Sequence, residues 1–331
     1  MTKVAIVGYG NVGRGVYESI KVNEDIELAG IVSRDPQRVL NEEIGSSRVF
    51  QQQEVLERKV SLDADVAILC GGSKNDLPIQ GIAFARIYNT VDSFDTHANI
   101  PKHNKKMNII AQDYHKTAII CAGWDPGTFS VNRVLADAFI PGCVPKGFYG
   151  LEENGGLSMG HSDAVRQIKG VVDARQYTHV IVEAMARVRN GENLNLLPEE
   201  MHWRDVKVVI EDGADKSRIE GEIKNMPNYY ANHRVGVEFV SQKELDEKYS
   251  SMPHDGVVLA VGETGDGNKA AIEYHNQWES NAEATGNILV ACARAAHRLN
   301  KRKRHGAFTM LDLSPADLSP HSREVLLKRF M

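Results

Sequence analysis

The string Gly8-Tyr9-Gly10-Asn11-Val12-Gly13 has the residue types and spacing to cradle phosphates. It follows the apolar run Val4-Ala5-Ile6-Val7 and opens a segment, 11–22, whose pattern predicts a helix. That context is what the G-x-G-x-x-G pattern requires. Gly8 permits the tight turn, Gly10 lets the backbone approach a pyrophosphate, and Gly13 lets the helix pack on the strand. The uncapped amides and partial positive charge of the helix start then favour phosphate. Where an acid would bind a ribose 2′-hydroxyl, at the end of the second strand, the chain has Ser33-Arg34. A hydroxyl and a guanidinium suit a 2′-phosphate, which a carboxylate would repel. The reading is therefore NADP. Asp35 speaks for NAD, and Arg38 is a further candidate cation. Cys70-Gly71-Gly72-Ser73 closes another apolar strand, and small residues there leave room for the nicotinamide half.

Two more strand ends carry acids: Asp92-Ser93-Phe94-Asp95-Thr96-His97 and Ala122-Gly123-Trp124-Asp125-Pro126-Gly127. Ligands gather at the carboxyl ends of parallel strands, so Ser93, Phe94, Asp95, Ala122, Gly123 and Trp124 belong on the cofactor's rim. Two carboxylates beside a nicotinamide suit an amine. They can hold its ammonium group, and one can take a proton while hydride leaves the carbon. Either acid could instead cap a helix, and Asp125 before Pro126 fits an N-cap. The residues alone leave that choice open.

The elements that must position these groups are legible as alternation. Strand-like runs at 4–7, 27–33, 66–70, 90–92 and 118–121 are interleaved with helical segments near 11–22, 79–87 and 102–114. This predicts an α/β fold built on a doubly wound parallel (Rossmann) sheet. After Gly123 the pattern changes. Pro126 stands where a first helical turn could start, a helix is expected over 129–139, and longer strands over 177–182, 201–210 and 235–240 predict a second, α+β domain with an open mixed or antiparallel sheet. The expected organisation is a dinucleotide-binding domain over 1–123, completed by a helix near 282–300, a substrate-binding and dimerisation region over 124–281, and a C-terminal segment over 301–331.

Composition narrows the function. A net charge of −5 argues against nucleic acid as a partner. The basic run Lys301-Arg302-Lys303-Arg304 reads as a solvated helix end. No apolar stretch reaches the length of a membrane span, and the first residues run into a strand without a secretory pattern. The four cysteines (Cys70, Cys121, Cys143 and Cys292) form no Cys-x-x-Cys pair, and no His-Glu-x-x-His string is present. A reducing, cytoplasmic setting and no bound metal are expected.

The strings at 7–14 (Val-Gly-Tyr-Gly-Asn-Val-Gly-Arg), 123–127 (Gly-Trp-Asp-Pro-Gly), 158–164 (Ser-Met-Gly-His-Ser-Asp-Ala), 252–254 (Met-Pro-His) and 294–298 (Arg-Ala-Ala-His-Arg) resemble those of the meso-diaminopimelate dehydrogenase family. The resemblance runs from the first strand to Gly306-Ala307-Phe308-Thr309. It implies NADP-dependent oxidation of the D-centre of meso-2,6-diaminopimelate to L-2-amino-6-oxopimelate with release of ammonia, reversible as a reductive amination, by a homodimer. Carried over by motif, Asp95 and Asp125 are the catalytic acids near the substrate amine, and Tyr149 lines the pocket. Ser158, Met159 and Gly160 shape the cavity, with Asp163 at its edge. Thr178, Arg204 and His254 hold the carboxylate of the L-centre, and Asn281 touches the substrate. The chain departs from the family pattern at Asp35, where many members have a second Arg, at Tyr149, often Trp, and in the longer segment 151–156. The rival readings are a dehydrogenase for a related amino acid and an NADP-binding sensor without turnover.

Overall fold

A computed structural model describes residues 1–40 and 44–331. Its strands are β1 (Thr2–Val7), β2 (Ile26–Ser33), β3 (Val49–Gln51), β4 (Val66–Leu69), β5 (Asn89–Asp92), β6 (Thr117–Ile119), β7 (Lys146–Tyr149), β8 (Gly156–Leu157), β9 (Val171–Val180), β10 (His202–Ile210), β11 (Val235–Phe239), β12 (His254–Glu263), β13 (Lys269–Trp278) and β14 (Gly306–Phe308). They divide between two compact units, one formed by residues 1–131 with 282–331, the other by 132–281.

The first unit holds a seven-stranded sheet in the order β14-β6-β5-β4-β1-β2-β3, and every pairing is parallel. Each residue of β4 is buried, as are Val4 to Val7 of β1, because helices cover both faces of such a sheet. Strand order reverses between β1 and β4, and the glycine fingerprint leaves β1 at that switch point. The helix Asn11–Lys21 follows it directly.

The long helix Asn281–Lys301 returns to this sheet and meets the fingerprint helix backbone to backbone. A Cβ on Gly15 would lie 2.0 Å from the carbonyl oxygen of Ala282, and one on Gly286 would lie 2.4 Å from the carbonyl of Gly15. Farther along the same helix, the buried Arg294 grips Asp25, with Nη2 donating to Oδ1 at 2.7 Å, and it donates to the Leu318 carbonyl at 2.7 Å. The chain then supplies β14, paired with β6. Residues 301–331, set apart in the sequence, thus contribute an outer strand to the sheet. A three-residue strand is too short to show a period, and the same holds for β3.

The second unit holds two sheets where one open sheet was expected. One has the order β11-β10-β9-β8. Its β9 and β10 are antiparallel and β10 and β11 are parallel, so of the mixed and antiparallel alternatives this sheet is the mixed one. The other is the antiparallel trio β13-β12-β7. Strand β9 begins at Val171, earlier than expected, and residues from Val182 onward form the helix Val182–Arg189. No helix among the described residues is long and apolar enough to cross a membrane. All four cysteines are free and buried.

Replacing Gly286 by Ala should force the two helices apart. The expected loss is about 1–3 kcal/mol, the usual cost of overpacking. It should appear in thermal unfolding as a lower midpoint and weaker NADP binding; an unchanged midpoint would contradict the close crossing.

Candidate functional site

In the first unit the site begins where β1 stops. Gly8 has a φ of +91°, a conformation costly for side-chain-bearing residues, and its N–H donates to the Val32 carbonyl at 2.8 Å. A Cβ on Gly13 would lie 2.2 Å from the Gly8 carbonyl oxygen, whereas one on Gly10 would meet nothing within 4 Å. Gly13 is therefore demanded by packing, whereas at Gly10 the space is open. Gly10 is the N-cap of the helix and offers no side-chain oxygen to the amides of the first turn. These amides remain available to an anion. Tyr9 packs edge-on against Tyr17, with centroids 6.1 Å apart.

At the end of β2 the Ser33 hydroxyl and the Asp35 backbone are locked together. The Asp35 N–H donates to Oγ at 3.1 Å, and Oγ donates to the Asp35 carbonyl at 3.0 Å. The exposed Arg34 donates from Nη1 to Asp76 Oδ1 at 3.0 Å. Asp76 also accepts the N–H of Gly72 at 3.0 Å, so one unforeseen acid joins the β2 and β4 rims. Burial pushes the Cys70 thiol well up, which fits a packing residue rather than a nucleophile. Gly71 is required by space: a Cβ there would lie 2.4 Å from Gln80 Oε1.

The acids after β5 and β6 are sorted by burial. Asp92 is completely buried. Its Oδ1 accepts the N–H of Phe94 at 3.0 Å and that of Cys121 at 3.1 Å, and Oδ2 faces His103 Nε2 at 3.3 Å. One carboxylate thus pins the turns leaving two adjacent strands, and His103 stacks on Phe94 at 4.2 Å. Beyond it, Asp95 is exposed; its N–H is held by Ser73 Oγ at 2.9 Å, and its carboxylate has no hydrogen-bond or ion-pair partner among the described residues. Asp125 is extended, with φ −150° and ψ 107°, and the helix begins only at Phe129. The N-cap alternative for Asp125 therefore fails, and Pro126 does not start that helix. Gly123 places Ser93 Cβ 4.0 Å from where its own Cβ would be, beside the buried Ala122 and Trp124.

In the second unit, sheet register decides the site. Thr178 on β9 sits directly opposite Arg204 on β10. The guanidinium donates through Nη1 to Thr178 Oγ1, and Gln176 Nε2 donates to the same oxygen at 3.2 Å. No carboxylate pairs with Arg204 among the described residues, and its Nε is buried without a partner. Burial pushes this guanidinium down to about 10, so it stays charged at neutral pH. His202 lies two residues away. It accepts the Tyr149 N–H at its Nε2 (3.0 Å) and stacks on the Tyr149 ring, and burial followed by the nearby Arg204 charge holds it neutral, down to about 3. The Tyr149 hydroxyl accepts from Arg133 at 2.5 Å.

A second network adjoins this one. Asn281 Nδ2 donates to the Leu157 carbonyl at 2.8 Å and faces His254 Nδ1 at 3.1 Å, while the Ser158 N–H donates to the Gln176 carbonyl at 3.0 Å. Ser158 also caps the helix Met159–Arg166, accepting from the His161 N–H. Of the residues named from sequence, Thr178, Arg204, Ser158, His254 and Asn281 are thus tied together within this unit. Met159 and Gly160 form the first turn beside them. Asp163 is exposed and faces only Arg166 on its own helix, at 3.7 Å, which leaves it outside the network. Among the described residues no group of three or more His, Cys, Asp or Glu side chains is placed to hold a metal ion.

The model of the diaminopimelic acid dehydrogenase C-terminal domain matches residues 123–280. The meso-diaminopimelate D-dehydrogenase of Lysinibacillus sphaericus is 46% identical, with 99% of each chain covered. The chain belongs to the meso-diaminopimelate D-dehydrogenase family. A solved structure of the Corynebacterium glutamicum diaminopimelate dehydrogenase in complex with diaminopimelate is 39% identical, covers 100% of this chain and 99% of its own, and superposes with a TM-score of 0.92. An engineered D-amino acid dehydrogenase bound to NADP+ is 37% identical, with coverage of 100% and 99% and a TM-score of 0.90. For a meso-diaminopimelate D-dehydrogenase, the open face at Gly10 and the uncapped first turn fit a dinucleotide. Sequence reasoning missed Asp76, Asp92, His103 and His202. Asp92 stood inside a quoted string, but nothing in the string distinguishes the buried acid from the exposed one.

Replacing Asp92 by Ala strands two buried N–H groups at roughly 1–3 kcal/mol each. The expected result is a lower unfolding midpoint with a reduced kcat, because the Asp95 loop loses its anchor. A variant with wild-type kcat would show that this anchor does not position the acids.

Proposed function

We propose that the chain catalyses the NADP-dependent oxidative deamination of the D-centre of meso-2,6-diaminopimelate to L-2-amino-6-oxopimelate and ammonia, and the reverse reductive amination. The observation that carries this reading is the half-buried guanidinium of Arg204, with a buried, unpartnered Nε and no carboxylate beside it among the described residues, within a chain similar over its whole length to meso-diaminopimelate D-dehydrogenases. The substrate has two ammonium and two carboxylate groups, so its site needs both signs of charge. Thr178, Arg204 and His254 hold the carboxylate of the L-centre, with Arg204 able to offer parallel donors. Asn281, Tyr149, Ser158, Met159 and Gly160 shape the space around it, and Asp163 marks its edge.

The fingerprint 8–13 holds the pyrophosphate, Ser33 and Arg34 hold the 2′-phosphate, and residues 70–73, 93–95 and 122–124 hold the nicotinamide half. Bound NADP supplies the hydride acceptor, the one step no side chain can perform. Asp95 and Asp125 hold the D-centre ammonium, and one of them takes its proton as hydride leaves the carbon. The resulting imine is hydrolysed by a water that the same acids orient. Fixing the L-centre through Arg204 presents only the D-centre for reaction, which is selectivity by placement.

A spectrophotometric assay of NADPH formation from meso-diaminopimelate, run with NADP and NAD in parallel, tests the reading. Turnover with NADP is expected; silence, or preference for another amino acid, would refute it. Arg204→Met should raise the KM for meso-diaminopimelate by at least about tenfold and admit simpler D-amino acids, since a charge-assisted contact is worth roughly 1.5–3 kcal/mol.

The same reading includes a cytoplasmic homodimer. Support comes from β13, a ten-residue edge strand of the second unit, and from the exposed Leu135, Phe139, Val172 and Val182. Light scattering should give twice the chain mass, and a monomer at micromolar concentration would exclude this part.

A further inference from the structure

Arg204 poses an electrostatic problem. A guanidinium that is half-buried, with its Nε fully buried, ordinarily carries a carboxylate partner, because desolvating an uncompensated charge is expensive. Here its Nη1 goes to the Thr178 hydroxyl and its Nη2 faces His233 Nε2 at 3.5 Å. Both partners are neutral acceptors. His233 lies on the loop before β11, and the loop is built to hold it. The Arg204 N–H donates to the Arg234 carbonyl at 2.9 Å, the His233 N–H donates to the Tyr230 carbonyl at 3.0 Å, and Asn232 adopts a φ of +75°. His233 Nδ1 faces the Ala231 carbonyl at 3.4 Å. A carbonyl can only accept, so this contact assigns the proton to Nδ1 and leaves the Nε2 lone pair toward Arg204. Burial, then the Arg204 charge, lowers the affinity of His233 for a second proton. His161 and His202, which feel the same guanidinium, are also pushed down by burial.

We propose that His233 is a positioning residue for the substrate-binding arginine: as a neutral acceptor it fixes the plane of the Arg204 fork together with Thr178, and it leaves the positive charge for an incoming carboxylate. This rests on the reading of Arg204 given under Proposed function. A glutamate at 233 would orient the fork as well, but it would neutralise the charge and compete with the substrate. A leucine would fill the space and release one arm of the fork. The imidazole meets both requirements, orientation without compensation, and makes dicarboxylate selectivity depend on a residue outside the recognised motifs.

Steady-state kinetics of four variants, each checked for an intact unfolding transition, test the proposal. His233→Leu should raise the KM for meso-diaminopimelate about tenfold with kcat changed by less than about twofold, as expected for loss of a hydrogen bond to a charged group. His233→Gln, which keeps an acceptor, should recover most of the affinity, and His233→Glu should be at least as impaired as His233→Leu. The KM for NADP should stay put in all three. An unchanged KM for meso-diaminopimelate in His233→Leu, or a parallel loss of kcat and of NADP affinity, overturns the positioning role. Arg204→Met is the reference. If it raises this KM while His233→Leu does not, the His233 inference alone fails; if it leaves the KM unchanged, the carboxylate grip fails and takes the inference with it.

Discussion

The closest constraint in the first unit is the crossing of two helices at glycine. Gly15 and Gly286 leave no room for a methyl group between the fingerprint helix and the helix Asn281–Lys301. Such an approach fixes the pitch and roll of both helices, because neither can slide without a backbone clash. The helix whose first turn offers uncapped amides is thereby held at a set height above the sheet. The same returning helix carries Arg294, which binds Asp25 near the start of β2, and it delivers β14 to the flank of β6. The two helix glycines and the Arg294–Asp25 pair are more than two hundred residues apart in sequence, and β14 and β6 nearly as far.

Charge is handled in two opposite ways in the two units. Asp92 is buried and saturated, with two N–H donors on one oxygen and an imidazole on the other. A saturated carboxylate is a fastener, and its energy is spent on backbone geometry. Arg204 is half-buried and unsaturated, with neutral acceptors at its arms and a buried Nε that has no partner among the described residues. An unsaturated charge stores binding free energy for a ligand, at a cost in stability that the surrounding sheet must absorb.

The sequence made some of this legible and hid the rest for definite reasons. The Rossmann strands were readable because buried parallel strands are continuous apolar runs bounded by glycine. The run Val257–Val261 within β12 carries the same signal and could have been found; β13, with Lys, Glu, His and Gln on its exposed face, could hardly have been. Strands β3 and β14 have three residues each and show no period. At the site, Gly8, Gly10 and Gly13 were legible because their spacing alone encodes a turn. Thr178 and Arg204 became partners only through the register of β9 on β10, which no local pattern specifies. His233 belongs to no motif, and its relevance comes from tertiary proximity to a charge. Asp125 was open to capping until its extended backbone excluded it.

Cofactor preference can be weighed from the same geometry. Arg34, proposed for the 2′-phosphate, is engaged by Asp76, and this looks like a competitor for the phosphate. The magnitudes say otherwise. Arg34 is 70% exposed in its side chain, and an exposed ion pair contributes about 0–1 kcal/mol. A phosphate offers a larger charge and more acceptor oxygens, with each charge-assisted hydrogen bond worth roughly 1.5–3 kcal/mol. Arg34 can therefore leave Asp76, or share it, at little cost. Asp35, the residue that favours NAD, has its backbone tied to Ser33 on both sides, while its side chain is exposed. Its carboxylate weakens the preference by screened repulsion, which falls off within a Debye length of about 8 Å at physiological salt. The balance favours NADP, by a margin that Asp35 narrows and Asp76 barely touches.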